Sequence, residues 1–141
     1  MPCHGEEGGE IMITTLIVDD EEPILSVVTR MLQCAGHRAV TAHGGEEAVR
    51  IYGEACQGEG EPIDVVIVDY LMPQMDGADT CRALREINPR VKILMASGLG
   101  TEFDRVDAEA LGVDSFLTKP YEIDELAKAI EDTVEAKQAA G

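Results

Sequence analysis

Basic residues are scarce in this sequence: 11 lysines and arginines stand against 28 aspartates and glutamates, a formal net charge of −17. So acidic a chain has no basic face from which to release counterions, which argues against direct binding of nucleic acid. An anionic membrane surface is disfavoured on the same grounds. No Cys-x-x-Cys spacing occurs among Cys3, Cys34, Cys56 and Cys81, so neither a zinc knuckle nor a redox pair is suggested, and all four are expected to be reduced thiols. The amino terminus lacks the basic start and apolar stretch of a secretory signal, and no segment approaches the ~20 apolar residues of a membrane span. The expectation is a soluble, cytoplasmic protein. Aromatics make up only 4% of the chain, but 45% of it is apolar, enough for the core of one domain without disulfide or metal staples.

What is present is an alternation. Residues 1–10 hold three glutamates and three glycines with almost nothing to bury and are expected to be a disordered acidic tail. From Met12 onward, short apolar runs alternate with stretches of helical spacing, the pattern of strand–helix–strand units on a parallel sheet. The first run, Ile13 to Val18, stops at Asp19-Asp20-Glu21-Glu22-Pro23, after which Ile24, Leu25, Val28, Met31, Leu32 and Ala35 recur at helical steps until Gly36. A weaker strand over Arg38 to Ala42 leads into a helix holding Ala48, Val49, Tyr52 and Ala55, and Gly53 to Pro62 reads as a loop. Val65 to Val68, four β-branched residues without polar alternation, reads as a strand buried on both faces at the centre of the sheet. A helix through Cys81, Leu84 and Ile87 ends at Asn88-Pro89; a fourth strand follows over Val91 to Met95, with Ser97-Gly98 its exit. A helix over 101–111, a fifth strand over Val113 to Leu117 and a last helix from Ile123 to Val134 complete the chain. Five strands and five helices make a doubly wound α/β domain over residues 11–137, with a short tail at 138–141.

In such a sheet the chemistry gathers at the carboxyl ends of the strands. Asp19, Asp20 and Asp69 all follow apolar strands. If the first and third strands are neighbours these carboxylates converge, and two like charges ~4 Å apart repel by about 4 kcal/mol at an effective dielectric of 20. A hard divalent cation relieves this, and magnesium, which takes a few carboxylates and keeps waters and phosphate oxygens, fits best. The Asp pair alone also reads as simple helix capping. Asp69 shifts that weighting, because a carboxylate ending the central strand near magnesium can attack phosphorus and form an acyl phosphate. Lys119 and Ser97, at the ends of the fifth and fourth strands, are placed to supply a cation and a hydroxyl to the phosphoryl oxygens.

With those residues in hand, the sequence resembles the receiver domain of bacterial two-component response regulators over about Met12 to Ala136. The matching segments are Leu16-Ile17-Val18-Asp19-Asp20-Glu21, Val66 through Gly77, Ile93-Leu94-Met95-Ala96-Ser97-Gly98, and Phe116-Leu117-Thr118-Lys119-Pro120-Tyr121. The resemblance implies strand order 2-1-3-4-5, the flavodoxin-like arrangement of doubly wound sheets shared by the chemotaxis member of this family. It implies that Asp69 accepts phosphate from a sensor histidine kinase or a histidine phosphotransfer protein. It further implies magnesium on Asp20 and Asp69, with Asp19 acting through water and the Leu71 carbonyl completing the ligands, and Lys119 paired with the phosphoryl group before a cis Pro120. Phosphorylation would draw the Ser97 hydroxyl inward and let Phe116 fill the vacated space.

The changed surface would be the helix over 101–111, the fifth strand and the last helix, used for an output protein or for a dimer formed on phosphorylation. Such a protein is not an enzyme beyond its own phosphorylation and dephosphorylation. The chain stops soon after the last helix, so a stand-alone receiver is expected; a relay intermediate or phosphate sink is the alternative within the family. A magnesium-dependent phosphohydrolase is disfavoured because Leu71 stands where that class places a second acid. Leu71 and Leu99 flank the site with apolar side chains, which predicts slow self-dephosphorylation.

Overall fold

The computed structural model describes residues 12–70, 77–97, 112–118 and 121–140. Five parallel strands, β1 (Thr14–Val18), β2 (Arg38–Ala42), β3 (Val65–Asp69), β4 (Ile93–Ser97) and β5 (Ser115–Thr118), form one sheet in the order β2-β1-β3-β4-β5. Four helices are present among the described residues: α1 (Glu22–Cys34), α2 (Gly45–Cys56), α3 (Gly77–Ile87) and α4 (Ile123–Ala140). The helix expected over 101–111 lies outside the described residues.

Side-chain alternation along the strands sorts the core into two layers. Leu16 and Val18 of β1, Val66 and Val68 of β3, and Ile93 and Met95 of β4 pack with Ala48 and Tyr52 of α2 and Leu84 of α3. The intervening residues Ile17, Ile67 and Leu94 face Leu25, Val28 and Leu32 of α1 and Leu126, Ile130 and Val134 of α4. Because both faces of β1 and β3 are covered, all five residues of each strand are buried, which is why Leu16 to Val18 and Val65 to Val68 are apolar without polar alternation.

Several boundaries differ from the sequence reading, each for a local reason. The β4 ladder begins at Ile93, two residues later than expected, because Val91 N–H is taken by the Asn88 carbonyl (3.0 Å) in the turn that closes α3. Ser97 is thus the last residue of β4 rather than its exit. α2 runs through Gly53 to Cys56, since this turn of the helix packs on α3 near Ile87. The strand starts are fastened by two aspartates used in the same way. Asp64 accepts from Thr14 N–H (2.9 Å) and donates its own N–H to Thr14 O (2.8 Å); Asp114 does the same with Ile93 (2.8 Å for both bonds). Cys56 and Cys81 are free thiols, but Cys34 is disulfide-bonded, which corrects the expectation of four reduced cysteines.

Two positions yield tests. Thr15 is fully buried, with Ala39 and Val65 as register neighbours, and its hydroxyl has no hydrogen-bond partner among the described residues. Thr15→Val removes that orphaned group without changing shape, so it should raise stability by about 1 kcal/mol and the thermal midpoint by roughly 3 °C. Gly77 opens α3 against the end of β3: a Cβ there would lie 2.8 Å from Tyr70 Cα and 2.9 Å from Asp69 O, while Gly44, on extended backbone, has nothing within 4 Å. Gly77→Ala should cost about 2–3 kcal/mol in denaturant titration because the obstacle is backbone, and Gly44→Ala should leave the midpoint nearly unchanged.

Candidate functional site

Parallel pairing of β1 with β3, in the register Val18↔Val68, sets the residues that follow, Asp19 and Asp69, side by side at the carboxyl edge of the sheet. Asp19 is 3% exposed and Asp69 7%, whereas Asp20, one residue farther along the loop, is exposed. The three offer carboxylate oxygens no more than 4.8 Å from one another.

The loop that carries two of these acids is held by its backbone. Asp19 N–H donates to Ala42 O at the end of β2 (3.1 Å), and Asp19 Oδ1 accepts from Glu21 N–H (2.9 Å), an arrangement that turns the chain into α1. Pro23 fits the first turn of that helix, where its missing N–H is no loss. This contact turns the chain ahead of the helix and is not a helix cap: the N-cap of α1 is Glu21, which has no side-chain capping hydrogen bond.

On the other side of the cluster, Asp69 closes β3. Its register partner in β4 is Ala96, and Tyr70 N–H donates to Ala96 O at 2.8 Å. Gly77 N–H then donates to Tyr70 O (3.1 Å), bringing the start of α3 onto the backbone of Asp69 and Tyr70. Gly77 is a structural support of this edge that sequence pattern alone does not single out, because the close backbone approach that requires a glycine arises only in the fold.

Ser97 ends β4 next to this edge, with Thr118 of β5 as its register partner. Phe116 pairs with Met95, two residues earlier on β4, and is half-buried against the α2–α3 side of the core. Leu71, Leu99, Lys119 and Pro120 lie outside the described residues.

Three hard oxygen donors this close suit a divalent cation in kind. Their oxygens lie within 4.8 Å of one another, a closeness and donor chemistry that suit an oxygen-liganded ion such as magnesium. Without a cation, the same three groups bring two buried negative charges and a third exposed one together, at a cost of about 3–4 kcal/mol per close pair at an effective dielectric of 20.

This geometry has close counterparts. The chain is 36% identical over 118 residues to the alkaline phosphatase synthesis transcriptional regulatory protein PhoP of Bacillus subtilis, a match covering 82% of this chain and 47% of that protein. It is 33% identical over 115 residues to the transcriptional regulatory protein CpxR of Escherichia coli, covering 82% and 46%. The chain thus spans about half the length of these curated relatives. Among solved structures it is similar to a response regulator receiver domain protein from Clostridium thermocellum, with a TM-score of 0.82, 30% identity and coverage of 92% of this chain and 100% of that one. It is likewise similar to the chemotaxis protein CheY4 of Vibrio cholerae, with a TM-score of 0.74, 30% identity and coverage of 87% and 99%. The family model for the response regulator receiver domain matches residues 15–131, a span that contains all three acids, and this chain belongs to that family.

Proposed function

We propose that this chain is the phosphate-accepting receiver of a two-component signalling system. Asp69 takes a phosphoryl group from a sensor histidine kinase or a histidine phosphotransfer protein, and the phosphorylated domain, residues 11–137, signals by binding another protein. The observation that carries this reading is the convergence of Asp19, Asp20 and Asp69 within 4.8 Å at the carboxyl edge of the sheet. Of the three, Asp69 ends the central strand and is buried, and the backbone of the next residue, Tyr70, is pinned by Ala96 of β4 on one side and by Gly77 on the other. Such fixity suits a nucleophile, because positioning supplies most of the catalysis in phosphoryl transfer.

In the proposed reaction an Asp69 carboxylate oxygen attacks phosphorus, a P–O bond forms, and the P–N bond to the donor imidazole breaks with its electron pair left on nitrogen. Asp20 and Asp69, with the Leu71 carbonyl and with Asp19 through water, would hold magnesium. When bound there, the ion would supply charge stabilisation to the transferring phosphoryl group. Ser97 and Lys119 are assigned to the remaining phosphoryl oxygens. The switch is assigned to Ser97 and Phe116, on neighbouring strands at this edge, with the output surface on the segment 101–111, β5 and α4. A net charge of −17 favours a protein partner over direct contact with nucleic acid. The chemistry is confined to the domain's own phosphorylation and dephosphorylation, and the proposed location is the cytoplasm; no helix among the described residues is long and apolar enough to cross a membrane.

Incubation with a small phosphodonor and magnesium should add one phosphoryl group, seen by mass spectrometry, and Asp69→Asn should abolish it; a variant that still takes label at full rate refutes the assignment. Without magnesium, Asp69→Asn should raise the unfolding free energy by about 1 kcal/mol, since it removes one of the crowded charges, and a lowered midpoint would contradict the crowding. With apolar residues at 71 and 99, the phosphoryl group should persist for minutes rather than seconds in pure protein, and Leu71→Asn, which can orient water, should shorten its life.

A further inference from the structure

Next to the acidic loop, His43 occupies the turn between β2 and α2 with a carboxylate against each ring nitrogen. Nε2 lies 2.5 Å from Glu22 Oε1 and Nδ1 lies 3.3 Å from Glu47 Oε1; the His43 backbone N–H also donates to that Glu47 oxygen, at 2.8 Å. Glu22 opens α1 and Glu47 belongs to the first turn of α2. These two helices cover opposite faces of the sheet. The imidazole therefore arches over the end of edge strand β2 and ties the two layers together where their helices begin.

A neutral imidazole carries one N–H, so it can donate to only one of these carboxylates while its other lone pair faces a second acceptor. Only the imidazolium satisfies both. In keeping with this, His43 is raised above its ordinary 6.5, chiefly by the hydrogen bond to Glu22 and next by that to Glu47. Glu47 is lowered from its usual value, chiefly by the His43 backbone N–H. The sign follows directly: the clasp is complete below the ordinary histidine value and is lost as pH rises through the raised one. Among the described residues, the charged groups facing the ring are Glu22 from α1 and Glu47 from α2, and Arg50 stands behind Glu47 at 3.9 Å.

The clasp is wired to the acids through the backbone. The residue before His43, Ala42, accepts from Asp19 N–H, and Asp19 in turn accepts from Glu21 N–H, the residue before Glu22. The other described histidine, His37, is at the far end of the sheet, its Nδ1 accepting from Ile13 N–H (3.1 Å) and its Nε2 3.0 Å from Glu131.

Resting on the receiver reading above, we propose that His43 is a positioning residue for phosphorylation: its protonated ring clasps the first turns of α1 and α2, holds the Asp19-Asp20-Glu21 loop in register, and softens the repulsion met by an incoming anionic phosphodonor. Ordering of the loop and local charge act in the same direction, so the protonated form reacts faster.

The test is the rate of labelling by a small phosphodonor at saturating magnesium between about pH 6 and about pH 9, the range in which histidine titrates. The wild-type rate should fall about two- to fivefold through the His43 titration. His43→Gln should be flat at the wild type's high-pH rate, and His43→Lys, a permanent cation, should hold the low-pH rate throughout. Identical profiles for wild type and His43→Gln overturn the proposal.

A second measurement needs no phosphodonor. By NMR, Glu22→Gln and Glu47→Gln should each lower the titration midpoint of the His43 ring. Hydrogen exchange at Ile24 and Leu25, whose amides bond to Glu21 O, should be slower in wild type than in His43→Gln only below that midpoint. A ring midpoint unmoved by either glutamine overturns the clasp whatever the labelling shows. Absence of label from every variant at every pH, with the ring responding as expected, instead overturns the phosphoacceptor reading and the positioning role that rests on it.

Discussion

Carboxylates crowd at the carboxyl edge of this sheet because β1 and β3 are parallel neighbours, and much of the molecule is organised around keeping them there. Parallel pairing aligns the ends of the two strands, and an aspartate follows β1 and closes β3, so like charges meet as a direct consequence of topology. The cost of a close pair, about 3–4 kcal/mol at an effective dielectric of 20, is a sizeable part of a typical domain's 5–15 kcal/mol. The fold sustains it with the buried aliphatic core on both faces of the central strands.

The surroundings of the acids are built from backbone more than from side chains. Ala42 O receives Asp19 N–H, Ala96 O receives Tyr70 N–H, and Tyr70 O receives Gly77 N–H, so each neighbouring element is fastened to the edge by a main-chain bond. Side-chain chemistry can then be placed on a frame that does not depend on rotamers, which is what precise phosphoryl transfer requires. Gly77 shows the tolerance: there is no room for even one carbon between α3 and the end of β3. The His43 clasp adds an ionic tie at the same edge, outside the core, where protons can reach it.

Legibility from sequence varied with the physics behind each feature. β3 could be recognised because a strand buried on both faces must be apolar without alternation, and α1 because Leu25, Val28 and Leu32 repeat at helical spacing after a proline suited to a first turn. Boundaries were less visible: β4 starts at Ile93 because a turn hydrogen bond removes Val91 from the ladder, and α2 passes through Gly53 because packing on α3 outweighs a glycine's weak propensity. The disulfide at Cys34 could not be inferred, since pairing depends on three-dimensional proximity and not on spacing in the chain.

The order of apolar runs and helical stretches, and the aspartates at the ends of two of those runs, were determined by the sequence itself, because burial period and strand termination are local properties written residue by residue. Which strands are neighbours was not local. Only the tertiary arrangement set β1 beside β3, brought Asp19, Asp20 and Asp69 within 4.8 Å, and laid His43 between acids 21 residues before it and four residues after it. Charges distant along a chain acquire an interaction energy only when folding closes the distance, so the site belongs to the sheet's register and not to any one segment.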